Sequence, residues 1–205
     1  MSGLRWVLAL LGVISLSGCS ILGERKVGEY HFYLLQPIAA GEEANGSPPG
    51  ANALAIGVGP VEIPEYLDRP NIVTRAGENE IVLADFAQWA EPFGSHVSRV
   101  LMENLVAKLG TDRVIEYPRA VSIPIDYQVA VHVIRFDAVL TQEAVLFARW
   151  GLFSGSEGKE IVAHTSRLRE PLAEGGYPAL VAAQSRLLGR LSGEIAAEIR
   201  QRHSR

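Results

Sequence analysis

The distribution of apolar residues predicts an α/β (α+β) sandwich, in which a mixed, largely antiparallel sheet of about six to eight strands packs with two long amphipathic helices. Three observations carry that expectation. Short segments rich in Val, Ile, Leu and aromatic residues, several with alternating apolar positions, are separated by Gly, Pro, Asn and Asp clusters. Two longer segments, at 95–109 and 178–200, change to helical spacing. No internal repeat of about 20 to 50 residues is present, so the pattern describes one domain and not a stack of small units.

The chain opens with the single cation Arg5, continues through the apolar run Trp6–Ile14 and reaches small residues by Gly18, the composition of a secretory signal. About ten apolar residues are too few for a stable span, which takes about 20. Leu16-Ser17-Gly18-Cys19 resembles the bacterial lipobox, and the resemblance implies a lipid on Cys19 as the first mature residue. Cys19 is the only cysteine in 205 residues, so it has no partner for an intramolecular disulfide in an oxidising compartment. One acyl chain binds membranes marginally, whereas several make the attachment stable. Ser20 follows. Under the enteric sorting rule aspartate there favours the inner membrane, so the outer membrane is expected.

Without residues 1–18, 187 residues remain and the formal charge moves from −4 to −5. That length suits one domain with a sizeable core. The sequence pI of about 5.8 offers no basic field, which argues against nucleic acid as a partner. The expected organisation is a signal over 1–18, a lipidated tether over 19–29 and one periplasmic domain over 30–205.

Tyr30–Leu35 is aromatic and apolar, the composition of a buried strand, and Pro37 ends it. Residues 38–53 combine turn formers with little bulk to bury, which predicts a flexible, inserted loop. Leu54, Ile56 and Val58 alternate with small residues, and Val61 and Ile63 carry a second strand on to Pro64. Ile72–Arg75 and Ile81–Leu83 flank a short hairpin turn. From Ser95, Val97, Val100, Leu101, Leu105 and Leu109 share one helical face, with Glu103, Asn104 and Lys108 elsewhere and Gly110 as the stop. Arg113–Tyr117 is a candidate short strand. Tyr127–Phe136, Ala144–Phe153 and Glu160–Leu168 follow as strands, with Gly155–Gly158 turning the last pair. Pro178–Arg200 carries the stripe Leu180, Gln184, Leu187, Leu188, Leu191, Ile195 and Ile199, and Pro178 suits a first helical turn. The order suggests one sheet covered by both helices.

The search for reactive groups mostly returns absences. No two of His31, His96, His132, His164 and His203 have the short spacing that places two zinc ligands on one turn, so no metal and no cofactor is expected. His132 and His164 are expected in strands that neighbour each other in the sheet and could face each other; a satisfied sheet histidine is the commoner case. Ser156-Glu157-Gly158-Lys159 has the spacing of a serine-lysine pair, which needs a helix, but lies in a glycine-rich turn. No nucleophile elbow or phosphate loop is present. An enzyme is not expected.

Two segments have the composition of a binding surface. Pro64–Asn71 is bracketed by prolines and carries Tyr66, Leu67, Asp68, Arg69 and Asn71; Ala87–Phe93 carries Trp89 and Glu91 just before the first helix. Exposed Tyr, Trp and Arg dominate binding hot spots. Two readings stay open for them: a partner contact, or Tyr66 and Trp89 sealing the sheet edge with Asp68 and Arg69 paired locally.

Together with Cys19 and Tyr33-Leu34-Leu35, the segments Val58–Pro64, Tyr66–Arg75, Trp89–Pro92 and Asn104-Leu105 resemble the auxiliary lipoproteins of ABC-type transport systems, the PqiC/YmbA family, over essentially the whole mature chain. The resemblance implies a periplasmic, non-enzymatic subunit that associates with an MCE-domain protein, serves lipid traffic and envelope integrity, and forms homo-oligomers. Loop 38–53 is longer than the family usually has. Against this docking subunit stands a self-sufficient lipid or apolar-ligand carrier with an enclosed pocket.

Overall fold

The alternating segments become eight strands and the two longer ones become helices in the computed structural model, which describes residues 28–37, 54–118 and 123–204. In chain order the elements are β1 (His31–Tyr33), β2 (Ile56–Glu62), β3 (Asn71–Arg75), β4 (Ile81–Trp89), α1 (Phe93–Leu109), β5 (Val114–Glu116), β6 (Tyr127–Ala138), β7 (Glu143–Ser154), β8 (Glu160–Pro171) and α2 (Tyr177–His203). The class is the expected mixed α+β sandwich. The signal, Cys19 and the expected loop at 38–53 lie outside the described residues.

The strands divide between two mixed sheets, of order β1-β4-β3 and β5-β2-β6-β7-β8, where a single sheet covered by both helices was expected. The reason is how far apart the paired segments are in sequence. β6, β7 and β8 form an antiparallel meander whose pairing follows from short turns. β2 instead pairs in parallel with both β5 and β6, and β1 in parallel with β4, so each of these contacts needs a long crossover.

One face of the meander is lined by Val129, Val131 and Val133 of β6 and by Leu146, Ala148, Trp150 and Leu152 of β7, all buried. α2 covers it with Leu180, Leu187, Leu188, Leu191, Ile195 and Ile199, while α1 packs on α2, β2 and β5. The stripe at Val97, Val100, Leu101 and Leu105 points inward as expected. Asn104, placed by the sequence away from that face, is buried on it. Gly110 ends α1 in the left-handed region, φ 65°, with its N–H on the Val106 carbonyl.

Two further expectations need revision. Tyr30–Leu35 is not a buried strand: β1 has three residues at a sheet edge, and Tyr30, Phe32 and Leu34 point outward while only Leu35 is sunk in the core. β4 extends past Leu83 as far as Trp89, through an irregular register against β3 between Asn71 and Val73.

Gly59 in β2 has φ +138°, and a Cβ there would lie 1.9 Å from the Tyr117 carbonyl oxygen. Only glycine permits this approach between β2 and the chain leaving β5.

Candidate partner-binding site

The connection from β2 to β3 is a tight, hydrogen-bonded turn. The Leu67 N–H donates to the Pro64 carbonyl at 2.9 Å and the Asp68 N–H to that of Glu65 at 3.2 Å. This winding drives Leu67 into the core, 2% exposed. The far end is fastened to β4: Asn71 Nδ2 donates to the Ala84 carbonyl at 2.8 Å, and the Trp89 N–H to that of Pro70 at 2.7 Å. Ala90 then donates to the Tyr33 carbonyl at 3.0 Å, joining the corner to β1.

Trp89 sits beneath the corner, 6% exposed, stacked on Phe93 with ring centroids 4.6 Å apart and edge-on to the His96 ring at 6.0 Å. Tyr66 is half-buried against the core, and its hydroxyl donates to Asp137 Oδ2 at 3.0 Å. Both rings therefore pack into the corner, while Asp68 and Arg69 remain at its surface.

Asp137, fully buried in β6, also accepts from Arg75 Nε at 3.0 Å and Arg135 Nε at 2.7 Å. One carboxylate thus ties the β2–β3 connection, β3 and the five-stranded sheet together. Burial, then the Asp137 charge, raises the Tyr66 pKa above its ordinary value and keeps the phenol protonated as a donor. At α1, His96 is fully buried, with Nε2 3.1 Å from the Leu35 carbonyl and 3.3 Å from Glu91 Oε1. Burial holds its pKa below the ordinary imidazole value despite Glu91. A hydrogen bond from Arg99 lowers the Glu91 pKa, and Arg99 also reaches Glu103 at 2.9 Å.

What remains at the surface is a depression of about 340 Å³ walled by Asp68, Arg69, Pro70, Trp89, Glu91 and Pro92. Asp68 is exposed, and Arg69 is half-exposed with its Nε buried and unmatched by an acceptor. Of the residues the sequence singled out, Asp68, Arg69, Trp89 and Glu91 line this one depression, whereas Tyr66, Leu67 and Asn71 do not. Sequence reasoning missed Arg75, Asp137, His96 and Arg99. The available signal was an acid between Phe136 and Ala138 at the apolar end of β6 and a histidine beside the inward stripe of α1.

The other candidates separate. His132 and His164 do not face each other, because β7 lies between their strands; His132 is opposite Arg149, and His164 is opposite Trp150. Their acidic neighbours differ as well, Glu62 at 3.0 Å and Glu198 at 3.4 Å. Ser156 and Lys159 are exposed in the β7–β8 turn, with no helix to bring them together. Among the described residues no group of three His, Cys, Asp or Glu side chains is placed to hold a metal ion.

Residues 33–196 match the model of the ABC-type transport auxiliary lipoprotein component, and the chain belongs to that family. This is a family of transport auxiliaries and not a class of enzymes. The fold is similar to two crystal structures. One is an uncharacterized protein, with TM-score 0.68 and 19% identity, covering 84% of this chain and 99% of its own. The other is protein XCC0632 from Xanthomonas campestris, with TM-score 0.60 and 18% identity, covering 82% of this chain and 90% of its own. At such identities the likeness is one of fold. No curated protein matches the chain.

Proposed function

We propose that this chain is the docking subunit of an MCE-type ABC lipid transport system, held by a lipid on Cys19 at the periplasmic face of the outer membrane. It binds the MCE-domain protein of the same system, assembles with further copies of itself and supports envelope integrity without catalysing a reaction. Family membership supports the transport role. The observation that carries docking is the corner at Pro64–Asn71 and Trp89–Glu91. Its backbone is already fixed by hydrogen bonds at both ends, so little entropy is lost on association. Its rim presents the half-exposed side chain of Arg69 beside the exposed Asp68, suited to a partner of mixed charge.

A self-sufficient carrier calls for an enclosed apolar chamber. The depressions lined by Pro60, His132 and Phe153 and by Leu34, Pro178 and Val181, about 280 and 390 Å³, lie at the surface. Co-purification from detergent-solubilised envelopes tests docking. The parent chain is expected to bring down an MCE-domain protein, and Arg69→Glu is expected to lose it at unchanged thermal stability. Recovery of bound lipid but no MCE-domain protein would favour the carrier.

A further inference from the structure

Ten large apolar side chains are exposed among the described residues, and seven of them lie on or beside β1 and β4: Tyr30, Phe32, Leu34, Ile81, Val82, Leu83 and Phe86. Phe32, at 63%, is the most exposed of the ten. Tyr30, Phe32 and Leu34 alternate along the chain and so point to one side of β1. Tyr30 meets Phe86 edge-on, ring centroids 5.4 Å apart, so the aromatic surface continues from β1 onto β4. Ala87 and Trp89, on the opposite face of β4, are buried.

The position of this patch relative to the tether identifies what would cover it. A Cβ placed on Gly28 would lie 2.5 Å from the Phe86 ring, so the chain arriving from the tether already runs against the patch. Between Cys19 and Gly28 stand eight residues, a connection that spans at most roughly 30 Å when extended. A lipid on Cys19 therefore keeps the patch near the bilayer at all times. The carboxylates Glu29, Glu80 and Asp85 lie on and beside β1 and β4, and Arg75 of β3 is paired with Asp137. In the sequence of the tether the cations Arg25 and Lys26 are set against Glu24 and Glu29, so no cationic cluster on the patch itself draws it to an anionic surface.

We propose that the outward face of the three-stranded sheet, centred on Tyr30, Phe32 and Phe86, is a second membrane contact that seats its aromatic rings in the interface of a zwitterionic leaflet beside the lipid anchor. The inference rests on the lipid-anchored reading above. The amphipathic ring of Tyr30 favours the headgroup level, and an apolar face carrying Phe32 and Phe86 inserts to about 5 to 10 Å beside it. The combination of lipid and patch fixes the orientation of the domain, which a flexible tether alone would leave free.

The test uses the full acylated chain in vesicles of phosphatidylcholine with brominated acyl chains. Phe32→Trp, with Phe86→Trp as a second reporter, is compared with the parent and with Thr165→Trp, an exposed position on β8. Bromine-dependent loss of emission with a blue shift at positions 32 and 86, and none at 165, is expected. Full emission at 32 and 86 from protein that floats with the vesicles would overturn the contact and leave the anchor standing. Failure to float would instead remove the anchor itself and the inference with it. Shielding from an aqueous quencher without loss of emission to bromine would assign the patch to a second copy and overturn the proposal. So would quenching seen only when anionic phospholipid is added.

Discussion

The phenol of Tyr66 donates to the buried carboxylate of Asp137 across a sequence separation of 71 residues, so the ring most suggestive of a free binding group is instead tied to β6. Tyr66→Phe is expected to cost about 1.5 to 3 kcal/mol, the range for a hydrogen bond to a charged group. Asp137→Ala should cost more, about 3 to 5 kcal/mol, because it strands the guanidinium groups of Arg75 and Arg135. Denaturant unfolding of each variant checks both. Equal stability of parent and Tyr66→Phe would show that the bond is not used.

Arg69 should behave in the opposite way. Its Nε has no acceptor and its side chain borders the surface depression, so Arg69→Ala should change monomer stability by less than about 0.5 kcal/mol. Loss of complex with the MCE-domain protein is expected at about 1 to 3 kcal/mol, as for a moderate hot spot. Titration of complex formation beside thermal unfolding separates the two. Destabilisation with binding retained would move Arg69 into the packing of the corner.

Acid should loosen the corner in two stages. The folded His96 has a depressed pKa, so stability is full above the ordinary imidazole value of about 6.5 and falls as the pH drops through it, because the unfolded chain takes up the proton first. The groups facing it are Glu91, Arg99 and Glu103; the two carboxylates oppose the shift and Arg99 reinforces burial. Glu91, lowered chiefly by Arg99, adds a second loss at more acid pH, as its carboxylate protonates in the fold. Melting temperatures from about pH 8 to about pH 5.5 should fall, and His96→Asn should flatten that part of the curve. An unchanged slope in the variant would exclude His96 as its source.

Gly59→Ala is expected to destabilise by on the order of 3 kcal/mol, since it adds backbone strain at φ +138° to a clash with the Tyr117 carbonyl. Gly77→Ala, where nothing lies within 4 Å, is the control and should be near neutral. Urea midpoints for the pair provide the comparison.

Cys19→Ala should release the chain from membranes without unfolding it, because among the described residues the buried core begins at Leu35 and its earliest half-buried neighbour is Tyr33. Carbonate-washed membranes retaining a processed Cys19→Ala chain would refute lipid attachment at that position.

Local chemistry was legible in the sequence and long-range pairing was not. Val97, Val100, Leu101 and Leu105 with Gly110 defined α1, and the meander of β6, β7 and β8 followed from alternation and one glycine-rich turn. Nothing local could show that His31 lies beside Ala87, or Ile56 beside both Val114 and Tyr127. The exposure of Tyr30 and Phe32 was concealed for the same reason: an aromatic run has one composition whether a layer covers it or not. At the corner, residue types identified Trp89, Arg69 and Glu91 as neighbours. Which of them face inward depended on Asp137 and Phe93, supplied by elements far along the chain or across the turn.

The parallel seam between β1 and β4 also has a mechanical consequence. If the chain is anchored at Cys19, any tension between the membrane and a bound partner enters the fold through β1, a seam only three residue pairs long. Peeling away residues 28–33 would lengthen the leash by roughly 20 to 22 Å and stop short of Leu35, which the core and His96 hold. The five-stranded sheet and both helices, none of which is threaded through that seam, would stay intact. β1 would then act as a breakaway link that yields before the load reaches the core.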